Sequence, residues 1–358
     1  LGGPFYYIEK GMGKNWKWLA KIFAFFGACV GLFGIGTFSQ VNGISSAVVG
    51  FFDPDKSFAV TIPGLGTYSW VVVIASLVLT FCIAAVIIGG VKRIASVSQV
   101  VVPFMAIIYF VFALALVLCN IKEVPQAIVT IVKSAFNPKA VTGGVVGSML
   151  VAMQNGVARG IFSNEAGLGS APIAAAAAQT KEPVRQGLVS MTGTFIDTIV
   201  ICTLTGLSVV ITGAWKVEGL EGVQVTTYAF QNGLPFSNQF CAAVLMICLV
   251  FFAFTTILGW DYYGERCLEY LTGKDEKKIK IYRWLYILAV FIGPYMTVAA
   301  VWTIADIFNG LMALPNMIAL FALSGVVVKE TKRFFDVYAD QKMANKKSSA
   351  SIKDAAEN

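Results

Sequence analysis

A short polar segment in the middle of the chain holds the residues best suited to chemistry. Residues Gly160–Ser170 contain glycines, serines, Asn164 and Glu165 between two apolar stretches. Unpaired backbone groups are costly in hydrocarbon, so such a segment is tolerated at membrane depth only where it lines a protein-walled cavity. A helix that breaks there exposes N–H groups that suit a carboxylate and C=O groups that suit a cation. The segment predicts such a binding site; a plain polar loop between short helices is the alternative.

A pair of hydroxyls in a later apolar stretch suggests a second site. Thr255 and Thr256 follow the carbonyl of Phe252 by about one helical turn. Hard alkali cations take oxygen ligands of this kind. The same hydroxyls could instead donate to carbonyls three or four residues back, as helix threonines often do. Phe252, Thr256 and Trp260 share one helix face, which favours a site.

The first apolar stretch carries small residues and one long amide. Gly27 and Gly31 have the spacing at which helices approach closely, and we expect that structural role for them. Gln40 needs a partner inside a membrane because its amide both donates and accepts. The sequence leaves open whether that partner is a ligand or another helix.

Ionisable residues inside apolar stretches are functional candidates by default. We expect Arg159 and Glu165 to pair with each other or to cap the ends of the break. Asp197 lies deep in an apolar stretch with no evident partner, whereas Asp261 and Asp306 are expected in water near span ends.

The composition is that of an all-α polytopic membrane protein. Apolar residues make up 57% of the chain and charged residues only 13%, against about 25% charged in soluble domains. Its basic residues are dispersed, so the net charge of +7 does not indicate nucleic-acid binding. The sequence has no histidine and no CxxC pair, so we expect neither a metal site nor a disulfide framework, and the lack of a histidine base counts against a hydrolase.

Hydropathy predicts eight spans and a polar tail. Most basic residues fall in one set of connections, which places both ends of the chain in the cytoplasm. The connections 122–136 and 223–231 look amphipathic, and residues 346–358 read as disordered. The spans run over 18–51, 70–90, 97–119, the broken 143–178, 186–211, 239–263, 281–302 and 304–328.

Several motifs resemble one transporter family. Gly156–Ala174, Gly259–Arg266 and Phe308–Asn316 are similar to the sodium:alanine/glycine symporter family, and the likeness covers nearly all of residues 1–335. The resemblance implies a leucine-transporter-type fold of two inverted repeats. It divides the chain into the remainder of the first repeat (1–142), a complete second repeat with its helix broken at 161–169 (143–328), and a polar cytoplasmic tail (329–358).

The resemblance also implies a function. It indicates a multi-pass protein of the cell membrane that imports alanine or glycine together with sodium, with the lipid bilayer as its surroundings and no cofactor besides the coupling ion. Family members have eleven spans, and the chain begins at Leu1 rather than Met, so we expect it to lack the first three. We therefore expect residues 1–358 alone not to catalyse coupled transport.

Site residues follow from the resemblance position by position. It implies that substrate meets the residues of the break and of two neighbouring helices: Gln40, Phe162, Ser163, Asn164 and Trp260. Sodium would be held by Thr255, Thr256 and the carbonyl of Phe252. A proton-coupled amino-acid transporter and a non-transporting membrane sensor are the alternatives; the hydroxyl pair and the lack of histidine count against proton coupling.

Overall fold

The computed structural model describes the backbone of residues 2–55, 57, 59–62, 66–136, 145–165 and 167–356. Fourteen α-helices and one hairpin make up most of its regular structure, in accord with an all-α membrane protein. The helices are α1 Pro4–Gly11, α2 Lys17–Phe33, α3 Phe38–Phe52, α4 Trp70–Ile87, α5 Val91–Cys119, α6 Val124–Phe136, α7 Val145–Asn164, α8 Ala171–Ala175, α9 Pro183–Phe195, α10 Thr203–Ile211, α11 Val223–Gly233, α12 Asn238–Thr272, α13 Glu276–Ile292 and α14 Val298–Ala356.

Six helical segments among the described residues are long and apolar enough to cross a membrane. They cover 14–52, 70–87, 91–119, 183–211, 238–272 and 298–338. Two of the eight predicted spans are not among them. Helix α13 has only 17 residues, and α7 carries polar residues such as Gln154, Asn155 and Arg159 along its length.

Three boundaries differ from the predicted ones. The first span is not one helix, because Gly34–Thr37 separates α2 from α3. The last two spans divide at Gly293–Met296 rather than near Thr303, since Pro294 cannot continue the hydrogen bonding of α13. The tail is helical to Ala356 rather than disordered, in keeping with its many strong helix formers, alanine and lysine.

Connecting segments add smaller elements. The two predicted amphipathic connections are helical, as α6 and α11. An antiparallel hairpin of β1 Ala59–Ile62 and β2 Gly66–Ser69 precedes α4, with Ala59 paired to Ser69. Nothing in the sequence pattern predicted these strands.

The core lies where α2 and α3 pack against α12, α13 and α14. Small residues permit close approach: a Cβ at Gly27 would lie 2.6 Å from Cys267 Sγ, and one at Gly31 would lie 2.6 Å from the Tyr282 hydroxyl. These contacts confirm the structural role predicted for both glycines. The Tyr286 hydroxyl donates to the carbonyl of Ile257 at 2.6 Å and lies 3.2 Å from that of Gly36, which ties the α2–α3 junction to α12.

Candidate functional site

The polar segment separates two helices, as its glycine content had indicated. Helix α7 ends at Asn164 and α8 begins at Ala171. Between them Glu165, Gly167 and Gly169 have φ values of 56°, 81° and 90°. Such values suit glycine but cost other residues roughly 1–2 kcal/mol. Glu165 is stabilised there because its N–H donates to Ile161 (3.0 Å) and its carboxylate accepts from Ser170 Oγ (2.7 Å).

The inner side of the break is fixed by Asn316 of α14. This side chain is 2% exposed, and its amide donates to the carbonyl of Gly167 at 2.9 Å. Its own oxygen accepts from the hydroxyl of Tyr7 in α1. One buried amide therefore joins three separate elements at the point where the backbone is irregular, and it satisfies a carbonyl that the broken helix leaves free.

A cavity of about 630 Å³ lies beside the end of α7, where Phe162 and Ser163 line it. Its volume is within the range of small-molecule sites, roughly 300–1,000 Å³. The wall is mostly apolar with a few polar groups. It is formed by helices α3, α5, α7, α11, α12 and α14, by residues 197–202 and by the connection that precedes α11. Lining residues include Ser39, Gln40, Gly43, Tyr109, Phe162, Ser163, Asp197, Glu221, Gln224, Cys248, Phe252 and Trp302.

The cavity brings together three of the five residues predicted to contact substrate. Gln40, Phe162 and Ser163 line it. Asn164 lies behind the wall, where its amide donates to Thr198 Oγ1 at 3.2 Å. Trp260 is 2% exposed, packs beside Gly36 and is not among the lining residues.

Asp197 has partners that the sequence did not reveal. It lies in a π-helical turn, Ile196–Cys202, between α9 and α10. Such turns are rare and often occur at functional sites. Its carboxylate lines the cavity and accepts from Ser163 Oγ at 2.7 Å and from Thr198 Oγ1 at 3.3 Å. The only sequence signal was a carboxylate deep in an apolar stretch.

The hydroxyl pair of α12 converges on one carbonyl. Thr255 Oγ1 and Thr256 Oγ1 lie 3.0 Å and 2.9 Å from the oxygen of Phe252. This is the back-bonded arrangement that the sequence left as an alternative. A hydroxyl that donates its proton keeps lone pairs on its oxygen, so these residues retain the chemistry of a cation ligand set.

The expected pair of Arg159 with Glu165 and the expected position of Asp261 in water are both wrong. Arg159 pairs not with Glu165 but with Asp306 of α14, at 2.6 Å. Its guanidinium also lies over the Trp302 ring, 4.3 Å from the ring centroid. Asp261 is not in water but 1% exposed. Helix α12 continues to Thr272, so Asp261 sits well inside it, next to the turn where Glu265 binds Arg283 at 2.6 Å.

Comparison with known proteins identifies the family of the chain. The model of the sodium:alanine symporter family matches residues 1–350. The chain belongs to the sodium:alanine symporter family. Its members are transporters and not enzymes.

Relatives of this sodium:alanine symporter family member align over most of the chain. A Haemophilus influenzae protein described as an uncharacterized transporter is 53% identical over 93% of this chain and 69% of its own length. The sodium/alanine symporter AgcS of Methanococcus maripaludis is 46% identical over 94% of this chain and 70% of its own. The probable sodium/glutamine symporter GlnT of Bacillus subtilis is 36% identical over 96% and 66%.

Proposed function

We propose that this protein is a symporter that carries a small neutral amino acid, alanine or glycine, into the cell together with sodium. The observation that carries the proposal is the family match over residues 1–350, together with 46% identity to a sodium/alanine symporter. The cavity beside the broken helix supports it, because it combines a largely apolar wall with a few oxygen and amide groups.

The substrate is placed against the polar part of the cavity wall. Gln40 and Ser163 supply hydrogen bonds, and Phe162 covers the apolar side of a small substrate. Asp197 gives the wall a carboxylate that suits a positively charged group, either the amino group of the substrate or sodium. Asn164 and Trp260 stay predictions, since neither belongs to the wall in this conformation.

Sodium is assigned to Thr255, Thr256 and the carbonyl of Phe252. Their oxygens already cluster within about one hydrogen-bond length, and oxygen ligands suit an alkali cation. Rotation of the two hydroxyl protons away from the carbonyl would present all three oxygens to an ion. Further ligands would have to come from an element that faces α12.

The fold that fits this function is the leucine-transporter-type inverted repeat, with both ends of the chain in the cytoplasm. The break between α7 and α8, the helices on either side and the distribution of basic residues support this arrangement. In such folds one repeat moves against the other around a site near the middle of the membrane.

Uptake by reconstituted protein tests the proposal. The product of the complete reading frame is placed in liposomes, and entry of labelled alanine is followed with an inward gradient of sodium, potassium or protons at matched voltage. We expect accumulation with sodium alone. Accumulation with the proton gradient alone would show proton coupling, and preference for glutamine over alanine would place the protein with a different substrate class.

A further inference from the structure

Two aromatic rings from different helices meet at one side of the cavity. Phe162 of α7 and Trp302 of α14 both line it, and their ring centroids are 5.0 Å apart. Aromatic pairs of this kind are rigid and bury a large area. The cavity is much larger than an alanine molecule, so size selection must come from such local walls and not from the total volume.

Trp302 is held in place by a pair of charged residues. The Arg159 guanidinium lies 4.3 Å from the Trp302 ring centroid and 2.6 Å from Asp306 Oδ2. Asp306 is four residues after Trp302, and Arg159 is three residues before Phe162, so each helix presents its two residues on one face. A guanidinium can stack on an aromatic face while it binds a carboxylate, which a smaller cation cannot do as well.

We propose that Trp302 limits the size of the side chain that the substrate can carry, and that Arg159 and Asp306 are positioning residues for its ring. The inference rests on the proposed function, because it defines which amino acids that cavity accepts. Removal of the indole would leave space between α7 and α14 beside Phe162. The polar groups that meet the common part of every amino acid would remain.

Selectivity in the product of the complete reading frame tests this role. The probes are alanine and glutamine, each measured by the rise in thermal unfolding temperature in detergent with sodium, and by competition against labelled alanine in liposomes. We expect Trp302→Ala to raise the ratio of glutamine affinity to alanine affinity by at least tenfold. Trp284→Ala is the matched control, because Trp284 is 64% exposed on α13. An unchanged ratio in Trp302→Ala would overturn the proposal.

The positioning residues are tested by the same ratio. Arg159→Gln and Asp306→Asn should each shift the glutamine-to-alanine ratio toward glutamine. Arg159→Lys keeps the charge but loses the planar stacking on Trp302, so its ratio should lie between those of the wild type and Arg159→Gln. A general loss of activity with an unchanged ratio would show a merely structural role for the pair. Thermal stabilisation measures amino-acid binding and does not require transport. A lack of alanine uptake would therefore contradict the proposed function but not the role of Trp302.

Discussion

The Ser163 hydroxyl donates a 2.7 Å hydrogen bond to the Asp197 carboxylate, and both residues line the cavity. The bond joins the last turn of α7 to the π-helical turn before α10. In the described part of the chain the hydrogen-bond partners of Asp197 are neutral hydroxyls, Ser163 and Thr198. A carboxylate at membrane depth is costly unless it meets a positive partner, so this one is suited to a cationic ligand group.

Asp197→Asn tests that role with almost no change in size. Loss of the negative charge should weaken sodium-dependent alanine binding by about 10- to 100-fold, because hydrogen bonds to charged groups contribute about 1.5–3 kcal/mol. Calorimetric titration of alanine in sodium buffer measures this. The control Asp336→Asn removes an exposed carboxylate from α14. Equal affinities for the two variants would remove Asp197 from the site.

The hydroxyl pair of α12 makes a separate prediction about coupling. Thr255→Val with Thr256→Val removes two oxygen ligands at nearly constant volume, and the sodium concentration for half-maximal uptake should rise by about tenfold or more. Thr130→Val is the matched control, since Thr130 back-bonds to the Gln126 carbonyl at 2.8 Å on α6. Wild-type sodium activation in the double variant would make the threonines structural.

Gly169 should tolerate no side chain. Its φ is +90°, and a Cβ would lie 2.7 Å from the Phe23 ring and 2.9 Å from Pro4. Gly169→Ala should therefore lower the free energy of unfolding by about 1–3 kcal/mol. The measurement is the unfolding temperature in detergent, which should fall. Gly310→Ala, in α14 with open space around the new Cβ, should be neutral or slightly stabilising. Equal behaviour of the two variants would contradict the packing described for the break.

Glu9 predicts a pH dependence for the attachment of α1. The hydrogen bond from Tyr270 and then that from Lys17 hold the pKa of Glu9 below its ordinary value of 4.5. A lowered pKa means that the folded state favours the carboxylate, so its stabilisation is present above about pH 4.5 and is lost as the pH falls through the lowered value. Glu9→Gln should flatten the acid limb of the unfolding temperature, whereas exposed Glu123→Gln should not. An unchanged acid limb in Glu9→Gln would exclude this contact as the cause.

The sequence predicted features that depend on local residue type. Glycine and polar content between 161 and 169 indicated a break, and the helical backbone ends at Asn164. The α13–α14 boundary was placed too late because apolar residues continue past the Gly293–Pro294 turn, so hydropathy alone does not mark it. Likewise, alanine and lysine in the tail are compatible with both disorder and helix.

Contacts between distant elements could not be predicted. Arg159 was expected near Glu165 because the two are close in the chain, yet its partners Trp302 and Asp306 come from α14. The place of Trp302 on the cavity wall, and of Trp260 behind it, depends on how α12 and α14 rotate about their axes when they pack. Helix periodicity gives a shared face but does not say which neighbour that face meets.

Filling the cavity tests the central claim most directly. Gly43 lines the cavity with open space at its Cβ position, so Gly43→Phe would place a ring inside it. The measurement is sodium-dependent binding of labelled alanine to the product of the complete reading frame. If the cavity is the transport site, Gly43→Phe abolishes binding, while Gly206→Phe, on the exposed side of α10, leaves it unchanged. Wild-type affinity in folded Gly43→Phe protein would show that alanine and sodium bind elsewhere.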